Sequence, residues 1–342
     1  MKNNQKLKFI LNFLLILVVL SIVLYFSLKD NYKEILATIF NMNIFFFIIS
    51  CLLFVSYRAI VGLSVHNLTK INDEKISLLK AIQISLIIPF FHGVTPFAGG
   101  GQPMEIYYLH KEKISIVKAT NITLQNFILY QMALVLMGMF ALTYNYIFKI
   151  FPQNSLIKKL VILGFIINFL VLLVTYILSF GKRINKFILN KGIKLLAKTK
   201  LIHEEEATRK KLNDYLNNFH KNALKLLKNK KAVLFNVIIN FFGIVFLYSV
   251  PYAVLRGLSV TNINLIDSIV STAYTMTIGS FVPIPGGTGG VEYGYMFFYG
   301  KLIRGSVLNA SMLIWRFITY YLAMIFGAIA LTFYRRRDER WK

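Results

Sequence analysis

Two short stretches of the chain place prolines, glycines and a carboxylate within apolar sequence. Residues 96–105 read PFAGGGQPME and residues 283–292 read PIPGGTGGVE, so both follow the pattern P-x-x-G-G-x-x-x-x-E. A helix that begins at such a break exposes N–H groups and a partial positive charge, and glycines let an anion approach the backbone closely. Glu105 or Glu292, if buried there, would pair with a cation or carry a proton. The two stretches therefore predict an anion site, such as one for a phosphate, beside two glutamates.

The predicted substrate-binding site combines residues of both breaks with polar residues that neighbouring apolar segments add. Its members are Arg58, His92, Thr95, Gly99, Gly100, Gln102, Glu105 and Asn126 in the first part of the chain, and Pro285, Gly286, Gly287, Gly289, Gly290, Glu292 and Arg316 in the second. No residue is predicted to be catalytic or to bind a metal. A matched pair of broken helices is a sequence sign of a transporter's binding site.

Several of these residues also have a structural interpretation. Each glutamate either serves the substrate or a proton, or it only locks its hairpin by accepting hydrogen bonds from backbone N–H groups. Arg58 is expensive at membrane depth and so a functional candidate, but it also lies where it can extend to the membrane surface. His92 and Thr95 directly precede the first break. They are candidates for lining the same cavity, although His92 alone also fits a purely structural role.

The composition predicts an all-α polytopic membrane protein. Apolar residues make up 56% of the chain, against about 45–50% in soluble domains. Apolar runs near the length that crosses a bilayer predict spans at residues 9–28, 44–65, 121–148, 160–180, 232–255 and 311–334. We interpret the first run as a retained helix rather than a signal peptide, because no small-residue cleavage site follows it.

The formal net charge of +25 is explained by loops beside anionic lipid rather than by nucleic-acid binding, because Lys and Arg lie mostly between the apolar runs. Residues 181–231 hold fifteen Lys and Arg against four acidic residues, which places this segment in the cytoplasm. One helical face of the segment is apolar: Leu212, Tyr215, Leu216, Phe219, Ala223, Leu226 and Leu227. The face predicts a helix that lies on anionic lipid, or equally one packed on the protein's own cytoplasmic side.

The two halves of the chain are predicted to be inverted repeats, at residues 1–150 and 151–342. Residues 76–105 align with 263–292 without a gap at seven identical positions, four of which are the prolines, glycines and glutamates of the breaks. Each half then contains three spanning helices and one Gly/Pro-broken re-entrant hairpin, at about 76–110 and 263–303. The basic cluster at 335–337 places the C-terminus in the cytoplasm, together with the N-terminus.

The breaks also resemble a known family. Gly99-Gly100, the P-x-P-G-G-x-G-G-x-E run at 283–292 and Trp315-Arg316 are similar to the lysylphosphatidylglycerol synthase transmembrane family. The resemblance implies movement of phospholipids or lipid-linked groups between the leaflets of a bacterial cytoplasmic membrane. Because relatives carry an aminoacyl-transferase domain after this region and this chain ends at Lys342, we expect any aminoacyl-phospholipid synthase to be a separate partner.

The sequence as a whole favours a lipid flippase for an anionic or aminoacylated phospholipid over an enzyme. It contains one cysteine, Cys51, five scattered histidines and no nucleotide-binding loop, so no cofactor is expected. A membrane-embedded enzyme and a scaffold subunit that acts with a separate lipid-modifying protein are the alternatives. An enzyme needs a nucleophile or a metal site, and a scaffold does not need two matched breaks at membrane depth.

Overall fold

The computed structural model describes residues 32–95, 99–151, 156–187, 191, 205–280, 282 and 284–339 of the 342-residue chain. Within these residues the fold consists of helices and connecting turns, without a strand. The helices are α1 (Tyr32–Phe40), α2 (Ile44–Ile71), α3 (Leu78–Gly93), α4 (Gly101–Lys111), α5 (Ile116–Phe148), α6 (Leu156–Phe180), α7 (Glu205–Lys228), α8 (Lys230–Tyr248), α9 (Val250–Gly257), α10 (Leu265–Gly279), α11 (Gly290–Tyr299), α12 (Gly305–Arg316) and α13 (Leu322–Glu339).

Five predicted membrane spans that fall in the described part of the chain are confirmed. Helical stretches long and apolar enough to cross a bilayer run over Ile44–Ile71, Ile116–Phe148, Lys159–Phe180, Lys230–Gly257 and Gly305–Tyr334. The predicted span at 9–28 lies outside the described residues. The prediction of an all-α polytopic membrane protein is thereby confirmed, while the inverted relation between the two halves stays a prediction.

The starts of several helices follow from their capping residues. Asn43 accepts a hydrogen bond from the N–H of Phe45 at the start of α2, and Asn264 accepts one from Asp267 at the start of α10. Ser77, Ser115 and Asn229 do the same for α3, α5 and α8. These side chains satisfy N–H groups that have no partner within the helix.

Each predicted hairpin is a pair of packed helices with the Gly/Pro break between them. In the first half α3 packs on α4, and in the second α10 packs on α11. These helices contain 16, 11, 15 and 10 residues, so the longest reaches about 24 Å, against about 30 Å for the bilayer core. None of the four is therefore long enough to cross the core alone, as a re-entrant hairpin requires.

The last span joins the two breaks to each other. A π-helical turn, Phe317–Tyr321, connects α12 to α13, and α13 packs along α3 of the first half. From this turn the hydroxyl of Tyr320 donates a hydrogen bond of 2.9 Å to the carbonyl oxygen of Gly93, the last residue of α3. The end of the first hairpin's first helix is thus held by the second half of the chain.

Helix α7 carries the amphipathic face predicted for the basic segment, and in the structure it packs on α5, α6 and α8. Ala223 and Leu226 are buried against the protein, which is the second of the two interpretations drawn from the sequence. Lys225 of α7 also binds Asp73 just after α2, and this hydrogen bond lowers the pKa of the Asp73 carboxyl. Binding of anionic lipid by residues 181–231 remains a prediction.

The predicted orientation can be tested with single cysteines in a Cys51→Ser background. Ser259→Cys, in the exposed turn after α9, is expected to react with a membrane-impermeant reagent on intact cells. Asn218→Cys, exposed on α7, is expected to react only after permeabilisation, because the positive segment stays in the cytoplasm. Labelling of Asn218→Cys from outside would contradict the inverted-repeat topology.

Candidate functional site

At the first break, the side chain of Thr95 connects the end of α3 to the start of α4. Thr95 follows α3, and its Oγ1 donates to the carbonyl oxygen of Phe91 at 2.7 Å and accepts from the N–H of Gly100 at 2.9 Å. Gly100 is the N-cap of α4, which has no side-chain cap of its own. Thr95 therefore holds the start of α4 instead of lining a cavity. Residues 96–98 of the break lie outside the described residues.

The second break makes a tight turn against an aromatic ring. Pro285–Gly287 forms a single 3₁₀ turn in which Gly286 has a φ of +67°. A β-carbon on Gly286 would lie 2.2 Å from Cε2 of Tyr320. Only glycine satisfies both the left-handed backbone and the close approach of this ring.

Gly286→Ala is therefore expected to lower the melting temperature of the purified protein. Gly305→Ala is the matched control, because Gly305 has a φ of +69° and no atom within 4 Å of its β-carbon position. Both variants carry the backbone strain of about 1–3 kcal/mol, but only Gly286→Ala also displaces Tyr320. Equal melting temperatures for the two variants would show that the Tyr320 contact adds nothing to stability.

The carboxylate of Glu292 is held by a backbone N–H group and by an arginine. Its Oε2 accepts a hydrogen bond of 2.6 Å from the N–H of Gly289, the N-cap of α11. Its Oε1 lies 2.7 Å from Nε of Arg316, although the N–H does not point at this oxygen, so the contact is an ion pair without an aligned hydrogen bond. Both side chains are only 8% exposed. Glu292 thus locks its hairpin, the structural interpretation drawn from the sequence, and neutralises Arg316.

Arg316 connects this ion pair to the turn and to the central aromatic ring. Its Nη2 donates to the carbonyl oxygen of Gly286 at 3.3 Å and to Oγ1 of Thr288 at 3.4 Å. The guanidinium carbon lies 4.6 Å from the centre of the Tyr320 ring, a cation–π distance. These contacts fix the guanidinium in one orientation at the end of α12.

Glu105 of the first half has a different environment. It is buried on α4 and faces Thr123 and Asn126 of α5, with Arg58 as the positive charge that acts on it. Within the described ranges, Oε1 of Glu105 and Nε of Arg58 have no hydrogen-bond partner. The Arg58 guanidinium lies 5.4 Å from the Tyr57 ring centre. Among the described residues, Arg58 forms no ion pair with Glu105 or with another carboxylate.

The difference between the two glutamates arises from where each helix begins. Both follow their Pro and Gly residues at the same spacing, but α4 begins at Gly101 whereas α11 begins at Gly290, two positions later in the aligned repeat. Glu292 is therefore the third residue of its helix and turns back to cap it, as in a capping box. Glu105 is the fifth residue of its helix, beyond the cap, and remains available to the cavity.

The two breaks meet at a cavity of about 410 Å³ between the halves of the chain. Seven predicted site residues line it: Arg58, His92, Gln102, Glu105, Asn126, Gly286 and Arg316. The others do not line it: Thr95, Gly99, Gly100, Pro285, Gly287, Gly289, Gly290 and Glu292 shape the breaks, and Gly287 lines a second, neighbouring cavity of about 320 Å³.

Aromatic residues outside the predicted substrate-binding site form much of the cavity wall. They are Tyr57, Tyr130, Tyr248, Trp315 and Tyr320. The hydroxyls of Tyr57 and Tyr130 are 3.3 Å apart and join α2 to α5 across the cavity. In apolar spans these residues have the same pattern as aromatic residues of a lipid-facing belt, so the sequence carries no signal that distinguishes the two roles.

Of the two arginines that line the cavity, only Arg316 has a carboxylate partner among the described residues. Arg316 is compensated by Glu292, while Arg58 and Glu105 line the cavity without a direct ion pair. A buried cation without a partner is costly, and an oxyanion placed against it relieves that cost. Arg58 is therefore suited to bind an anion, and Glu105 is suited to bind a cationic group or to carry a proton.

The fold and the cavity define a polytopic helical membrane protein with a cavity, lined by a few charged side chains, between two Gly/Pro-broken hairpins. The chain belongs to the family described as the lysylphosphatidylglycerol synthase TM region, which matches residues 10–327. It is also 24% identical over 307 residues to a UPF0104 membrane protein of Archaeoglobus fulgidus, an alignment that covers 84% of this chain and 85% of that relative. The family resemblance seen in the two breaks is thereby confirmed.

Proposed function

We propose that this protein moves phospholipids between the leaflets of a membrane and holds the lipid head group in the cavity between the two hairpins. The observation that carries the proposal is Arg58, a 6% exposed arginine that faces this cavity and has no carboxylate partner among the described residues. A guanidinium binds phosphate through charge-assisted and often bidentate hydrogen bonds. The lipid named in the family description supports a lipid as the substrate.

The cavity has the features that such a lipid requires. Its volume of about 410 Å³ falls within the range of about 300–1,000 Å³ typical of small-molecule sites. Glu105 lies in the same cavity as Arg58 and provides a counter-charge for an amino group, so an aminoacylated head group fits as well as a purely anionic one. A separate aminoacyl-phospholipid synthase would supply the aminoacylated lipid.

The proposed location is the bacterial cytoplasmic membrane, with both termini and α7 in the cytoplasm. The basic character of residues 181–231 supports this orientation, since positive loops stay on the cytoplasmic side. With this topology the two hairpins enter the membrane from opposite sides, which is the arrangement of alternating-access transporters.

The proposal is tested by reconstituting the protein in liposomes with a fluorescent phospholipid and measuring its movement between leaflets. Arg58→Gln is expected to slow this movement by about tenfold or more, because a charge-assisted phosphate contact contributes about 1.5–3 kcal/mol. Arg256→Gln is the matched control: Arg256 also lies over a tyrosine ring, at 5.1 Å from that of Tyr252, but outside the cavity.

Two outcomes would contradict the proposed function. One is wild-type protein that moves no phospholipid above the rate of empty liposomes, whatever the charge of the head group. The other is a folded Arg58→Gln variant that moves lipid as fast as Arg256→Gln.

A further inference from the structure

Three asparagines on three packed helices each leave a buried oxygen atom without a donor. Asn72 at the end of α2, Asn121 on α5 and Asn236 on α8 donate their amide N–H groups back to the carbonyl oxygens of Leu68, Val117 and Ala232. All three side chains are at most 1% exposed, and Oδ1 of each has no hydrogen-bond partner in the part of the chain that the structure describes. An unsatisfied buried acceptor costs about 1–3 kcal/mol, so three in one region need a physical explanation.

Other polar side chains lie between α2, α5 and α8, and hydrogen bonds connect some of them. Asn72 donates to Gln125 at 2.8 Å, and Asn240 donates to Ser64 at 3.2 Å. Ser64 donates in turn to Asn126, a residue of the cavity wall. We call the set the polar seam; its residues are Asn72, Asn121, Thr123, Gln125, Asn236 and Asn240.

The polar seam runs from the cavity to the side of the protein where α7 lies. At the cavity end, Glu105 faces Thr123, whose Oγ1 also lacks a partner. At the other end, Gln125 donates to the carbonyl oxygen of Asn222 on α7 at 3.3 Å. Asn121 and Asn126 are five residues apart on α5, which is about 7.5 Å along the helix axis. This part of the polar seam therefore covers less than two helical turns of α5.

The chemistry of the unpartnered atoms indicates what occupies the seam. Four of them, on Asn72, Asn121, Thr123 and Asn236, are oxygens able to accept hydrogen bonds, and the seam ends at a carboxylate oxygen of Glu105 that also lacks a donor. Buried acceptors of this kind are matched by molecules that donate O–H bonds, and buried water commonly fills this role. A chain of donors that ends on a buried carboxylate is the arrangement of a proton relay in membrane transporters.

We propose that the polar seam carries protons between the α7 side of the protein and Glu105. In this step a hydronium ion at the end of the water chain transfers its proton to the carboxylate, which becomes a neutral carboxyl group, and the reverse transfer returns it. The charged and titratable groups that line the cavity with Glu105 are Tyr57 and Arg58 on α2, His92 on α3, Tyr130 on α5, Tyr248 on α8, Arg316 on α12 and Tyr320 in the π-helical turn.

Protonation of Glu105 links the proton to the substrate. The neutral carboxyl group no longer offsets the positive charge of Arg58, so the protonated protein binds an anionic head group more tightly and the deprotonated protein releases it. By linkage, the head group favours protonation to the same extent. This coupling rests on the proposed lipid transport, whereas the relay itself does not.

The relay is tested by infrared spectroscopy on the purified protein, without lipid transport. The carboxyl band of protonated Glu105 is assigned by its loss in Glu105→Gln, and its rate of exchange in D₂O is then followed. In the double variant Asn121→Leu/Asn236→Leu this exchange is expected to slow by about tenfold or more, because the relay is interrupted. Asn168→Leu is the matched control: Asn168 on α6 makes the same hydrogen bond within its helix but lines the neighbouring cavity.

The coupling is tested in liposomes with a pH gradient or a sodium gradient. A pH gradient is expected to change the rate of lipid movement in the wild type but not in the double variant, and a sodium gradient is expected to have no effect. The relay proposal is overturned if Glu105 shows no protonated band at any pH, or if the folded double variant exchanges as fast as Asn168→Leu. Dependence on sodium instead of pH would overturn the coupling. Wild-type protein that exchanges rapidly but moves no lipid would contradict the proposed function alone.

Discussion

Arg316→Leu is expected to lower the free energy of unfolding by about 3–5 kcal/mol, because it leaves the Glu292 carboxylate buried without its cation. The variant also loses the hydrogen bonds from Arg316 to Gly286 and Thr288 and its contact with the Tyr320 ring. The destabilisation is measured by chemical or thermal denaturation in detergent. Few single substitutions in this chain are expected to have a larger effect on stability.

The double variant Arg316→Leu/Glu292→Leu provides the internal comparison. Removing both charges is expected to restore much of the lost stability, since replacing a whole buried ion pair by apolar residues is often close to neutral. Lys225→Leu is the surface control: the side chain of its partner Asp73 is 72% exposed, so breaking that pair should change stability little. If Arg316→Leu melted like Lys225→Leu, the ion pair with Glu292 would not be what holds the second hairpin.

Glu105→Gln is expected to have the opposite profile, with stability preserved and transport lost. Glutamine keeps the shape of the side chain, and Oε1 of Glu105 has no hydrogen bond to lose. Lipid movement is expected to fall by about tenfold or more, because glutamine cannot release a proton and keeps the side chain in the neutral state that holds an anionic head group tightly. The measurements are the melting temperature and the rate of lipid movement in liposomes.

Glu292→Gln serves as the comparison for this prediction. It weakens the ion pair with Arg316, so it is expected to lower the melting temperature. The protein that remains folded is expected to move lipid at close to the wild-type rate. Two well-folded glutamine variants that both move lipid at the wild-type rate would exclude a role for these carboxylates in transport. A Glu105→Gln variant that unfolds like Glu292→Gln would show that Glu105 is structural instead.

The sequence predicts the helices of this protein better than the details of its cavity. Long apolar runs predict the spans that contain α2, α5 and α6 because a bilayer requires about 20 apolar residues per crossing. Proline and glycine likewise predict the two breaks. The span at 230–257 is interrupted at Ser249, where α9 begins with Pro251 as its second residue. The apolar composition alone does not reveal this interruption.

The candidate site was predicted in part. Arg58 and Glu105 line the cavity, whereas Glu292 has the same spacing from its glycines and does not line it. The sequence cannot distinguish the two glutamates, because the difference depends on which residue begins each helix. The tyrosines of the cavity wall were missed for a similar reason: burial between helices and exposure to lipid require the same apolar ring.

The sequence also does not predict the polar seam. Asn72, Asn121 and Asn236 lie on three different helices, and nothing in their sequence spacing places them together. Their burial depends on how α2, α5 and α8 pack, and each amide turns back to its own helix. Such a cluster is recognised only after the helices have been positioned relative to one another.

Photochemical labelling with a phospholipid that carries a diazirine on its head group tests the central claim most directly. With the head group between the hairpins, mass spectrometry should find adducts on cavity residues such as Thr319 and Tyr57, and unlabelled phospholipid or the Arg58→Gln substitution should reduce them. Phe317, which is 43% exposed on the outer surface, reports the background from surrounding lipid. Adducts confined to Phe317 and similar outward residues, with none in the cavity, would contradict the proposed head-group site.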